Sequence, residues 1–231
     1  QSSVTIPIHM EKDPTNLYYA RAPRFRLMGE FVRDNALSIS GLLNTKVGGP
    51  SVKPYQPEGL WNEVSLNGNR RFVRDKGEKL YRKSMYTYWK RSAPHPGMLA
   101  FDAPTRETCT IQRQNTNTPM QALVTLNDEQ FVEASRAFAE KILTSNNDTF
   151  ESKLDFAFET ATGRPADSTR IDVFKELYNY QKKIFDTEPQ RATDLLSVGD
   201  YKSSTLDKTE HATWTILAST ILNLDETLNR E

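Results

Sequence analysis

From Pro23 onward the apolar residues of the chain fall into a rhythm that the first twenty positions lack. In APRFRLMGEFVRDNALSISGLLNTKVGGP, Leu27, Phe31, Ala36 or Leu37, Ile39 and Leu42 to Leu43 recur at near-helical spacing, and Asn44 with Gly48 and Gly49 supplies a stop. The spacing predicts a helix of about five turns with one buried stripe. Residues 1–20 are polar, carry Pro7 and Pro14 and hold no sustained period, so they read as an extended lead-in from an upstream region.

Residues 48–80 contain five glycines and three prolines beside a basic run, Arg70, Arg71, Arg74, Lys76 and Lys79. That is loop composition, with one helical turn around Leu60, Trp61 and Val64. Some thirty residues of plain loop inside a compact domain are unusual, so the segment is either functional or draped over a partner. RKSMYTYWKR (82–91) and ETCTIQRQ (107–114) then alternate and are rich in Thr, Tyr, Trp and Ile. They predict two short strands, with the stretch between them as the connection of a wide hairpin.

Beyond that point every pattern is helical. Thr118, Pro119 and Gln121 predict a capping box on a proline-initiated helix, and Asn127 with Gln130 repeats the device for a helix whose stripe is Phe131, Ala134 or Ser135, Phe138 and Ile142. Leu154, Ala157, Phe158 and Ala161 share a face that ends at Gly163. A further helix starts at Asp167 or Ser168 and buries Ile171, Phe174, Leu177, Tyr178 and Phe185. The last helix, from Asp207, is the most apolar and belongs at the centre. The expectation is a mainly α, irregular multi-helix bundle of about seven to nine helices, with one small antiparallel β-hairpin and long ordered loops. It forms one domain over 21–231, divided into a helix, loop and hairpin half (21–113) and a helical half (114–231).

Composition adds two points. With 231 residues and one cysteine, Cys109, the chain folds on a hydrophobic core without an internal disulfide, and no apolar run approaches the roughly 18 residues of a membrane span. Net charge is zero, yet residues 21–113 hold 17 Lys and Arg against 8 Asp and Glu, while 114–231 hold 12 against 20. We read this asymmetry as two halves facing each other or a neighbouring domain, the alternative being an acidic ligand on the first half.

Several segments together resemble a known family: GGPSVKPYQPEGLW, the long run YRKSMYTYWKRSAPHPGMLAFDAPTRETCTIQRQNTNTPMQALVTLND, ATGRPAD and WTILASTILNLDE. They are similar to the PSD1 domain (DUF1553), the C-terminal domain of large planctomycete-type multidomain proteins of unknown function. The resemblance implies a periplasmic or extracellular location and a parent that carries an upstream domain, often with a cytochrome c module. It supplies no catalytic residue. The chain lacks a C-x-x-C-H pattern, so the expectation is no cofactor here, with any haem c bound elsewhere in the parent.

The candidate chemistry concentrates between Met85 and Asn117. Pro94 and Pro96 fix the angle at which His95 is displayed, which suits a structural hydrogen bond, acid-base work or ligation. Asp102 and Arg106 complete the catalytic candidates, although no G-x-S-x-G or other nucleophile motif accompanies them. Tyr86, Lys90 and Arg91 are candidates for a sugar-stacking or anion platform, and Arg113, Asn115 and Asn117 for an anion site at a helix start whose competing role is capping. The Gly48-Gly49-Pro50 turn lacks the Gly-Lys-Ser/Thr of a phosphate loop. The interrupted basic run from Arg70 to Lys83 matches no nucleic-acid module, so no nucleic-acid partner is expected. The reading is an accessory or interaction domain of a larger exported protein whose partner is its upstream domain. The alternatives are part of a carbohydrate-active hydrolytic or oxidative enzyme around His95, Asp102 and Arg106, and a glycan- or anion-binding module.

Overall fold

A computed structural model describes residues 3–65, 71–202 and 205–230. In chain order the elements are α1 (Pro7–Lys12), β1 (Phe25–Arg26), α2 (Gly29–Ser40), α3 (Leu60–Glu63), α4 (Pro96–Leu99), α5 (Pro119–Asn127), α6 (Glu129–Leu143), α7 (Phe150–Thr162), α8 (Ser168–Thr187), α9 (Pro189–Leu196), α10 (Lys208–Leu222), α11 (Asp225–Leu228) and β2 (Asn229–Arg230). Tight 3-10 turns occupy Gly77–Tyr81 and Ser84–Tyr86. The fold is mainly α, and the helices beyond the expected number are short pieces such as α1, α3, α4 and α11.

The core forms where α10 lies along α6, with α2, α7, α8 and α9 packed around that pair. Phe138, Ile142, Leu154, Phe158, Phe174, Trp214, Leu217 and Ile221 meet there, nearly or fully shut off from solvent. The sequence places α10 at the centre, and it is buried on almost every side. It buries threonines at no hydrogen-bonding loss, because Thr213 and Thr215 donate to the carbonyls of Thr209 and His211 one turn back (2.7 and 2.8 Å). Gly163 ends α7 in the left-handed conformation, φ 75°, and Asp167 caps α8 through the Arg170 N–H, both as the sequence indicates.

Four expectations need correction. The predicted hairpin is absent. Segment 81–88 does run partly extended, but it pairs with residues 44–52: Asn44 N–H donates to the Tyr81 carbonyl (2.8 Å), Val52 N–H to Tyr86 (2.8 Å) and Tyr88 N–H to Val52 (2.7 Å). Residues 107–114 stay irregular and Ile111 is fully exposed. The small antiparallel ladder lies elsewhere, where Phe25 and Arg26 pair with Arg230 and Asn229 and so bring the two ends of the domain together.

The first long helix is shorter than its periodicity suggests. Leu27 is taken by the ladder, its N–H donating to the Leu228 carbonyl (2.9 Å), and Gly41 at φ 81° closes α2 ahead of Asn44. The lead-in is not wholly extended, because Pro7 starts α1. Thr118 is the N-cap of α5 but makes no side-chain cap, since the Gln121 N–H donates to its carbonyl (3.0 Å), and the Gln121 side chain is taken by Arg26 and Thr116; for α6 the capping side chain is Asp128, accepting from Gln130 N–H (3.0 Å), and not Asn127.

Candidate binding cleft and its buried support

The described residues of segment 44–90 have little regular structure, so their buried carbonyls need donors from other parts of the chain. Arg33 of α2 provides them. Its guanidinium donates to the carbonyls of Leu80 (2.7 Å) and Arg82 (2.8 Å), to Ser84 Oγ (3.0 Å) and to Gln130 Oε1 on α6 (2.6 Å). Asp34 accepts from the Ser84 N–H and hydroxyl (2.8 and 2.7 Å). Burial lowers the Arg33 pKa to about 10, which still leaves a cation at neutral pH, so these bonds are charge-assisted. Arg82 extends the tie to the carbonyls of Pro50, Lys46 and Gly48 while its guanidinium stacks 3.8 Å from the Tyr86 ring centre.

One turn further along α6, Glu133 has no exposed surface. Its Oε1 accepts from the hydroxyls of Tyr55 (2.9 Å) and Tyr81 (3.0 Å) and from the Tyr201 N–H (2.7 Å), while Oε2 has no partner. Tyr55 Oη in turn accepts from the Asp200 N–H (2.8 Å). Burial, followed by the charge of Glu133, holds both phenol pKa values above their ordinary range, so both remain neutral donors. Arg74 couples this network to the surface, its guanidinium 4.6 Å from the Tyr55 ring centre and bonded to Asp200 Oδ1 (2.8 Å).

The surface at that point is a cleft of about 680 Å³, lined by Gln56, Glu58, Trp61 and Asn62, by Arg71, Phe72 and Arg74, and by Glu129 at the start of α6. Trp61 is held from several sides, by Phe72 (5.3 Å between ring centres), Tyr88 (5.7 Å), Lys90 Nζ (4.3 Å) and Lys53 Nζ (5.4 Å). Three buried donors among the lining residues, Gln56 Nε2, Trp61 Nε1 and Arg74 Nη1, have no hydrogen-bond partner among the described residues. Burial raises the Glu129 pKa against the opposing charge of Arg74. The lining supplies amide, indole, guanidinium and carboxylate groups, an arrangement suited to hydrogen bonding a ligand.

The residues singled out by sequence lie apart from this cleft or behind it. His95 is 7% exposed, and its Nε2 lies 2.8 Å from the Tyr55 carbonyl; since a carbonyl only accepts, Nε2 carries the proton. Burial, and then the nearby Arg33 charge, lower its pKa to about 4, so the imidazole is neutral at physiological pH. Asp102, at φ 59°, accepts from the Thr116 N–H (2.8 Å) and hydroxyl and so closes the loop before α5. Arg106 is exposed and stacks 4.4 Å from the Trp89 ring centre. Among the described residues no hydrogen bond joins His95, Asp102 and Arg106 to one another.

Tyr86 Oη accepts from Gly48 N–H (2.8 Å), Lys90 lies over Trp61, and Arg91 is exposed in a turn. Arg113 makes a two-pronged pair with Glu30 (2.7 and 3.0 Å). Burial raises the Glu30 pKa, but the Arg113 bond, a backbone hydrogen bond and the Arg113 and Arg106 charges together make the net shift downward. Asn117 accepts from Arg26 (2.7 Å), and Asn115 is exposed on the same shallow hollow near Arg24 and Asp225. Of the basic run, Arg70 lies outside the described residues, Arg71 and Arg74 line the cleft, and Lys79 pairs loosely with Asp75 (3.8 Å).

Sequence reasoning missed Gln56, Glu129 and Glu133. The available signal was the loop composition of 48–80, too long to be idle, with a tryptophan among amide and charged side chains. No group of three or more His, Cys, Asp or Glu suited to a metal occurs among the described residues, and no helix there is long and apolar enough to cross a membrane. The family model described as PSD1, protein of unknown function (DUF1553), matches residues 1–178. No curated protein and no solved structure matches the chain.

Proposed function

The chain belongs to the PSD1 family of proteins of unknown function (DUF1553), and on that footing we propose that it is an accessory, interaction-forming domain of a larger exported polypeptide, docked through its N-terminal segment on the domain that precedes it. The observation that carries this reading is α1. The helix has no buried residue, and Ile6, Ile8 and Met10 are 45%, 46% and 54% exposed. A six-residue helix is not self-sustaining in water, so it needs an apolar surface to lie against.

The adjoining residues add further exposed apolar side chains. Leu17, Tyr18 and Tyr19 are all strongly exposed, yet their backbone is ordered by Asp13, whose carboxylate accepts from the N–H groups of Leu17 (2.7 Å) and Tyr18 (3.0 Å). Arg21 braces the turn by donating to the carbonyls of Asp13 (3.0 Å) and Pro14 (2.9 Å). A shaped segment that displays clustered apolar side chains without covering them has the character of an interface.

Calorimetric titration of this domain with the preceding domain, prepared as a separate polypeptide, tests the reading. The expected result is a complex weakened at least tenfold by the double substitution Ile8→Asp and Met10→Asp, with the circular dichroism of the isolated domain unchanged. Absence of association, or association indifferent to the two aspartates, contradicts it.

A further inference from the structure

We infer that the cleft beside Trp61 is a binding site for the ring of a neutral sugar. Its lining includes no residue of α1 or of the turn after it, and it does not depend on the docking reading. The first argument is charge. Arg71 and Arg74 are matched in the lining by Glu58 and Glu129, and Arg74 already bonds Asp200 at 2.8 Å. A site built for a phosphate or sulfate would carry a surplus of cations, and one built for a cation a surplus of carboxylates. Among the described residues the lining itself is balanced, and the two ammonium groups nearby, Lys53 and Lys90, are engaged on the Trp61 ring.

The second argument is hydrogen-bonding capacity. Gln56 Nε2, Trp61 Nε1 and Arg74 Nη1 are buried donors without acceptors among the described residues, an arrangement that folded proteins seldom leave standing. Trp61 is itself only 9% exposed, so its indole N–H has little recourse to water. The carboxylates of Glu58 and Glu129 supply acceptors in the same lining. A ligand that answers both sets must donate and accept from neighbouring atoms, as a hydroxyl does. The planar ends of Gln56, Asn62 and Glu129 each carry two polar atoms side by side, the spacing at which adjacent ring hydroxyls are taken in pairs.

Shape and rigidity agree. The volume of about 680 Å³ falls within the range of small-molecule sites, and Phe72 and Val73 offer an apolar edge for the C–H face of a pyranose. Trp61 is fixed by its ring and ammonium neighbours, and Arg74 by Tyr55 and Asp200, so the donors are held in place before any ligand arrives.

Saturation-transfer NMR and calorimetry with the methyl glycosides of glucose, galactose, mannose and xylose, and with methyl glucuronide as the charged counterpart, test the assignment. The expected result is binding of at least one neutral glycoside, little affected by salt, with affinity lowered at least tenfold by Gln56→Ala and by Asn62→Ala while the melting curves of both variants stay near that of the parent. Asn62 is exposed, so its variant keeps the test decisive if Gln56→Ala misfolds. Binding of the glucuronide alone, binding of none of the five, or neutral-sugar binding unchanged in a folded variant each overturns the proposal.

Discussion

Tyr55 and Glu133, 78 positions apart in the chain, share a hydrogen bond of 2.9 Å between the phenol and a carboxylate with no exposed surface. The bond joins the loop-built half of the molecule to the helical half, and the Tyr81 hydroxyl and Tyr201 N–H converge on the same oxygen. Burying a carboxylate is tolerable only where such donors replace its water.

Glu133→Ala removes the acceptor and strands three donors at once. A loss of about 3 kcal/mol in urea unfolding is expected, against about 1 kcal/mol for Glu133→Gln, which keeps an oxygen in place. Equal stability of the two variants would show that the carboxylate is not what joins the halves.

Gly199 sits under the same group. At φ 82° a Cβ added there lies 2.5 Å from Glu133 Oε1, whereas a Cβ at Gly163, φ 75°, meets nothing within 4 Å. Gly163→Ala therefore isolates the backbone cost of about 1 kcal/mol, and Gly199→Ala adds a collision worth about 2 kcal/mol more. Thermal melts that rank the two variants equally would mean that Glu133 moves aside freely.

His95 makes stability depend on pH. Its pKa falls from the ordinary 6.5 to about 4 on folding, so the unfolded chain takes up the proton first. The contribution is complete above pH 6.5, declines as pH falls towards 4 and is absent below. It amounts to roughly 3 kcal/mol, from about 1.4 kcal/mol per pH unit over that interval. Urea unfolding at pH 7, 5.5 and 4 should show a slope that His95→Gln clearly reduces, the buried His211, whose pKa is also lowered, supplying part of the remainder, and parallel profiles for parent and variant would remove the assignment.

The helical half was legible because its signals are local: Asp167, Gly163 and the stripe from Phe131 to Ile142 act within one element. The basic half was not, because its structure is set by distant partners. The alternation in 82–91 marks a segment that does pair, and nothing within that segment says that its partner is 44–52 rather than 107–114. Arg33 lies between the stripe positions Phe31 and Ala36 with nothing local to mark it, yet it is buried as the common donor to Leu80, Arg82 and Ser84. Pro94 and Pro96 do fix His95, but against the Tyr55 carbonyl, a partner 40 positions away that no spacing within the loop could reveal.

The central claim is that α1 is a docking element, and amide hydrogen exchange measures it most directly. The His9 and Asp13 N–H groups close the turns of α1 on the carbonyls of Ile6 and His9, both at 2.9 Å. The account predicts rapid exchange of these amides in the isolated domain and at least a hundredfold slowing when the preceding domain is present in the same polypeptide. Equal, rapid exchange in both would contradict it.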